Sequence, residues 1–165
     1  MPTDEALRRA AEVLGAGRKI TILAGRGALG ARKELEEIAE ILGAPITKAV
    51  LGKACVADES PYTTGGVGLL GTRPSQEALE GCDTLLIVGS SFPYIEFYPK
   101  PGQARCVQIE LDPQKIGLRY PVEVGLVGDS LRVLRRLVSR LDRNADRGWL
   151  DQAQKGKAEW MTLLE

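Results

Sequence analysis

Two rhythms of apolar and polar positions take turns along this chain. Short apolar runs, Ile20-Thr21-Ile22-Leu23-Ala24 and Leu85-Leu86-Ile87-Val88, are too brief for helices and carry no alternation. They read as strands buried on both faces. Around them the spacing changes to three and four. Leu7, Ala10, Ala11 and Leu14 share one helical face, as do Leu35, Ile38, Ala39 and Leu42, and later Leu131, Leu134, Val138 and Leu141. Thr3 is a cap for the first helix, which Gly15 and Gly17 end; Gly43 stops the second, whose pattern begins at Ala31. The reading predicts strands at 19–24, 45–50, 83–89, 105–110 and 122–127. Pro74 opens a short helix through Leu79. Residues 51–72 read as a long glycine-containing excursion, and 90–102 as a loop rich in aromatics and proline. Asp129 or Ser130 caps the last core helix.

Strands without alternation, interleaved with amphipathic helices, predict an α/β fold of three layers around a parallel sheet. In such sheets ligands bind at the carboxyl ends of the strands. The glycine and acidic clusters Gly25–Gly30, Gly89, Glu110–Asp112 and Gly128-Asp129 all fall at those ends. The predicted organisation is a domain over 1–143, then a break at 144–148 and a helix from Trp149. The apolar end Met161-Thr162-Leu163-Leu164 leaves two readings open: a chain cut from something longer, or a last helix packed on the core.

Composition narrows the function. Apolar residues make up 44% and charged residues 27%, a globular balance. Lys plus Arg equals Asp plus Glu at 22 each, which leaves no electrostatic footprint for nucleic acid or for an anionic membrane. No apolar run approaches the ~20 residues of a membrane span. Cys55, Cys82 and Cys106 form no C-x-x-C pair and read as buried, reduced thiols of a cytoplasmic protein. Histidine is absent, so Ser-His and Cys-His catalysis and most zinc sites are excluded from this chain.

The sharpest local motif is strand, then Gly25-Arg26-Gly27-Ala28-Leu29-Gly30, then helix. Glycines permit a tight turn and close approach to a ligand, and a helix N-terminus offers N–H groups to phosphate. A dinucleotide-binding Rossmann unit also carries an acid at the end of its second strand, for the ribose. Here that segment reads Thr47-Lys48-Ala49-Val50, so an ordinary NAD site is disfavoured, and a tight turn without ligand stays open. Gly65-Gly66-Val67-Gly68-Leu69-Leu70-Gly71-Thr72 is a second glycine loop. Its backbone could lie against a planar ring or a phosphate chain, and its interleaved Val67, Leu69 and Leu70 call for a wall to pack on. Glu110 could accept from a ribose or cap a turn; Asp129 could touch an adenine or cap the next helix. Arg132, Arg135, Arg136, Arg140 and Arg143 read as the solvated side of that helix.

Taken in order, the segments ITILAGRGALGARKELEEIAEILGAPI, LLGKACVADESPYTTGGVGLLGT, DTLLIVGSSFPYIEFYP and IELDPQKIGLRYPVEVGLVGD resemble the central domain of the thiamine-diphosphate enzymes of the pyruvate oxidase and acetolactate synthase group. The resemblance covers about residues 3–142. The loop Phe92–Pro99 is most similar to the pyruvate oxidase and pyruvate:quinone oxidoreductase branch. It implies a Rossmann-like domain with a six-stranded parallel sheet, holding FAD in an extended pose in the flavin-containing members. Carried over by motif, Gly25, Arg26 and Gly27 lie along the pyrophosphate and ribitol. Ala49, Val50 and Leu51 line the second strand end, and Gly68, Leu69, Leu70 and Gly71 run beside ribitol and isoalloxazine. Gly89, Ser91 and Phe92 meet the middle of the cofactor, Glu110 and Leu111 the adenosine ribose, and Asp129 the adenine. Glu110 stands where many relatives have Asp. Thiamine diphosphate and Mg2+ belong to other domains of the parent chain, since Gly128-Asp129-Ser130 with Asn144 does not match the family's diphosphate motif. No catalytic or metal-binding residue is assigned here, and no turnover is expected of this segment alone. The parent is expected to be a homo-oligomer acting on pyruvate or another 2-keto acid. Two alternatives stand beside the flavin reading: a cofactor-free spacer, and a groove for ADP or a CoA-type ligand.

Overall fold

A computed structural model describes residues 1–165. Six parallel strands form one sheet in the order β3-β2-β1-β4-β5-β6. They are β1 (Ile20–Ala24), β2 (Ile46–Lys48), β3 (Thr63–Gly66), β4 (Thr84–Val88), β5 (Arg105–Glu110) and β6 (Val124–Val127). The helices are α1 (Asp4–Gly15), α2 (Arg32–Leu42), α3 (Arg73–Gly81), α4 (Ser130–Val138) and α5 (Gly148–Leu163). β1 pairs with β4 from Ile20↔Thr84 to Ala24↔Val88, and both strands are buried along their whole length. That accounts for their unbroken apolar runs, because a central parallel strand faces helices on both sides. β6, at the edge, alternates buried and exposed residues.

One face carries α1, α2 and α4, whose Leu7, Leu35, Ile38 and Leu134 join Ile22, Leu86 and Val107 of the strands in the larger core. The other face has a smaller core of Leu23, Leu79, Leu85, Ile87, Phe92 and Tyr98, against which Trp149 of α5 packs. The predicted caps are in place: Thr3 Oγ1 accepts from the Ala6 amide at 3.1 Å, and Gly43 closes α2 in the left-handed conformation. All three cysteines are free and buried. No helix is long and apolar enough to cross a membrane.

Three expectations change. The second strand is shorter than 45–50, because Val50–Cys55 turns into a 3-10 segment. The excursion over 51–72 contains the sixth strand, β3, which joins β2 in a register broken between Ile46 and Thr47. The break at 144–148 is anchored at both ends of a short connection: Asn144 Nδ2 donates to Leu42 O and Arg147 Nη1 to Glu40 O. From there α5 lies against α3 and β3, with Leu150 buried and Trp149 Nε1 donating to Thr21 Oγ1 at 3.0 Å.

Candidate nucleotide groove at the switch of strand order

The strand order reverses between β1 and β4, and loops leaving the carboxyl ends on either side diverge there. They enclose a groove of about 700 Å3, within the ~300–1,000 Å3 of small-molecule sites. Arg26 and Gly27 contribute from the β1 loop, Ala49, Val50 and Leu51 from the β2 loop, residues 89–94 from the β4 loop, and Glu110, Leu111 and Lys115 from the β5 loop. The groove therefore collects ten of the sixteen site residues expected from sequence: Gly25 lies just behind its lining, and five others lie elsewhere.

The first glycine turn is built differently from expectation. A 3-10 turn, Arg26–Ala28, intervenes between β1 and α2, and no residue of α2 lines the groove. The glycines face other glycines. A Cβ added to Gly27 would lie 2.8 Å from Gly89 Cα, and one on Gly52 would lie 2.6 Å from Gly25 Cα. The Gly27 amide donates to Gly89 O at 2.9 Å, and the Gly25 amide to Val88 O at 2.9 Å. Three strand-end loops thus touch backbone to backbone, and the two amides that seemed free for phosphate are committed to the fold.

What remains for a ligand is side-chain chemistry. Arg26 and Lys115 line the groove, and neither takes part in an ion pair. Glu110, at the end of β5, is buried. Its Oε1 accepts from the amides of Leu111 and Asp112 at 3.1 and 3.3 Å, which fixes the carboxylate and leaves Oε2 for a donor. Phe92 is buried beneath the β4 loop; Tyr98 Oη donates to its carbonyl at 2.9 Å, and the Phe92 and Tyr98 rings lie 5.9 Å apart. Burial pushes the Tyr98 phenol well above its ordinary value, so it stays a neutral donor. Arg119 Nε holds the Ser91 carbonyl at 3.1 Å from behind. Two cations outside any ion pair, a fixed carboxylate and a buried aromatic ring are the chemistry this groove offers: the cations suit an anionic group and the carboxylate a hydroxyl donor.

The second glycine loop lies outside this groove. Gly68, at φ +118°, backs onto the Phe92 ring; Leu70 and Gly71 line a neighbouring cleft of about 450 Å3 under the end of α5, which shares Ala49 and Val50. Val67 is buried as its apolar character required. Leu69 and Leu70 are not: Leu70 is 99% exposed, because this chain supplies no wall for them. Asp129 also stands apart. Its carboxylate accepts from the Arg132 amide at 3.1 Å and caps α4, so the capping reading describes its position and it does not line the groove.

A family profile described as the thiamine pyrophosphate enzyme central domain matches residues 7–137. The chain belongs to that family. Among relatives, YdaP of Bacillus subtilis (strain 168), provisionally described as a thiamine pyrophosphate-containing protein, is 39% identical over 99% of this chain and 28% of its own length. Pyruvate oxidase of Lactiplantibacillus plantarum is 27% identical over 99% of this chain and 27% of its length. A crystal structure from Mycobacterium smegmatis, provisionally described as a thiamin diphosphate-dependent enzyme, superposes with a TM-score of 0.69 at 27% identity, over 88% of this chain and 29% of that one. This thiamine pyrophosphate enzyme central domain thus spans between a quarter and a third of the length of these three relatives.

Proposed function

We propose that this central domain supplies the groove for an FAD-type nucleotide in a thiamine-diphosphate enzyme acting on pyruvate or another 2-keto acid. The observation that carries the reading is the pair of unpaired cations, Arg26 and Lys115, in a switch-point groove that is also lined by Glu110. When bound, a flavin would supply electron transfer; thiamine diphosphate and Mg2+ would be held by other domains of a longer cytoplasmic, homo-oligomeric parent. The residues of this chain bind and orient. Arg26 and Lys115 offset the charge of a pyrophosphate, Glu110 accepts from a ribose hydroxyl, and Ala49–Leu51 and Phe92 exclude water from the walls. Residues 89–91 line the same groove.

A second reading has its own support. The glycines of the first turn are accounted for by packing alone, as they would be in a spacer domain without cofactor. The visible spectrum of the freshly purified protein, with the supernatant analysed after heat release, separates the two. A yellow protein releasing FAD supports the flavin reading, and ADP in the supernatant supports an adenosine-only ligand. A colourless protein that also fails to bind added FAD or ADP rejects both in favour of the spacer.

A further inference from the structure

Lys48 is the most unusual buried side chain in the molecule. It ends β2, where a dinucleotide-binding domain would present its ribose acid, and it is 1% exposed. Its Nζ donates to Asp58 Oδ1 at 2.6 Å, Val56 O at 3.0 Å and Lys53 O at 3.1 Å. All three ammonium protons are therefore aimed at a single loop. An unpartnered buried ammonium is strongly unfavourable, so the loop must stay wrapped around this one.

The near end of that loop is the groove wall Ala49–Leu51, and Gly52 seats it on Gly25. The far end reaches α5. Lys157 Nζ donates to the backbone carbonyls of Asp58 at 2.6 Å and Ser60 at 3.0 Å, and Gln154 Nε2 to Pro61 O at 2.9 Å. Asp58 is the shared member: its carboxylate takes Lys48 and its carbonyl takes Lys157. Burial, together with the nearby Lys48 charge, holds Lys157 below the ordinary lysine value, which places the two ammonium groups in one electrostatic environment. Neither Lys48 nor Lys157 lines the nucleotide groove.

We propose that Lys48 is the positioning residue of the groove wall and that, through Asp58 and Lys157, it couples the seating of α5 to that wall. The functional consequence rests on the nucleotide reading; the coupling itself does not. Hydrogen exchange on the 165-residue chain tests it directly. Lys157→Gln removes a contact to Asp58 and Ser60 only, yet is expected to speed exchange at least about fivefold across residues 49–56, while β1 and β4 keep their wild-type rates. Lys48→Met is expected to do the same across both 49–56 and 148–160. Should Lys48→Met fail to fold, Asp58→Asn, which keeps the shape and removes the charge, is expected to give the same pattern in weaker form. Wild-type exchange at 49–56 in Lys157→Gln overturns the proposal. Titration with FAD and with ADP is the second arm. Lys157→Gln is expected to weaken binding about tenfold with an unchanged melting temperature, and added nucleotide to slow exchange in α5 of the wild type. Unchanged affinity in Lys157→Gln overturns the functional half. A wild type that binds neither nucleotide rejects the groove reading, and the exchange result then decides the coupling alone.

Discussion

The two glycine loops look alike in sequence and do opposite work. At Gly25–Gly27 the missing side chains are replaced by other backbone: Gly27 meets Gly89, Gly25 meets Gly52, and the amides are bonded within the fold. At 65–71 the backbone takes positive φ at Gly65 and Gly68, only Val67 is buried, and Leu69 and Leu70 point outward. The first loop is a junction where three strand ends pack backbone against backbone. The second is pinned at its base, where Thr72 Oγ1 lies 2.8 Å from Thr64 O and the Thr72 amide donates to Gly66 O at 2.9 Å, and is open at its tip. Glycine content alone does not separate close packing from ligand approach; the partner of each missing Cβ does.

The largest effect is expected at the junction. Gly89→Ala forces a Cβ into Gly27 at a backbone φ of +59°, combining overpacking with left-handed strain, and should cost roughly 3 kcal/mol. Thermal unfolding should shift by roughly 6–12 °C. Lost nucleotide binding at an unchanged melting temperature would break the comparison, since the junction would then serve the ligand and not the fold. Thr72→Ala comes next. It removes the cap of α3, whose Oγ1 accepts from the Ser75 amide at 3.2 Å, and the staple to Thr64, for about 1–2 kcal/mol in urea unfolding.

Acid should separate the regions by locality. The Lys48 ammonium holds the Asp58 carboxyl below its ordinary value, so this stabilising contribution is present above the unfolded carboxylate pKa of ~4. It is lost as pH falls through the lower folded value. Exchange at 50–58 should therefore rise below about pH 4 before that at Gly25 and Gly27, whose amides are bonded to the backbone carbonyls of Val88 and Gly89. Simultaneous loss at both would show a single cooperative unit. The smallest effect is expected at the open tip. Leu70→Ser should change stability by less than about 0.5 kcal/mol, and a larger loss in denaturant would mean that the tip packs on something in this chain after all.

Much of this was legible in the sequence, and the gaps have physical causes. Continuous apolar runs marked β1 and β4 because burial on both faces leaves no room for polar residues. β3 was hidden because Thr63-Thr64-Gly65-Gly66 is short, lies at the sheet edge and ends in glycines; the β-branched threonines were its one signal. The acid at the end of β5 and the cap at Asp129 followed from their strand-end positions. In the sequence Lys48 shows only as the absence of an acid. Nothing local announces that a lysine is buried, because its three acceptors, Lys53, Val56 and Asp58, are gathered by tertiary structure. Hydropathy predicts a wall for Leu69 and Leu70, but it measures a preference for burial and not whether this chain satisfies it.

The backbone contact between Gly27 and Gly89 bears on how such signatures persist. A glycine kept for a cofactor is free to drift once the cofactor is abandoned, but a glycine kept by another glycine is not. Descendants of a binding domain with this junction would carry the pattern whether or not they still bind. A search keyed on that pattern would gather both kinds without distinction. The side chains that can tell them apart are those with no partner in the fold, and in this groove those are Arg26 and Lys115.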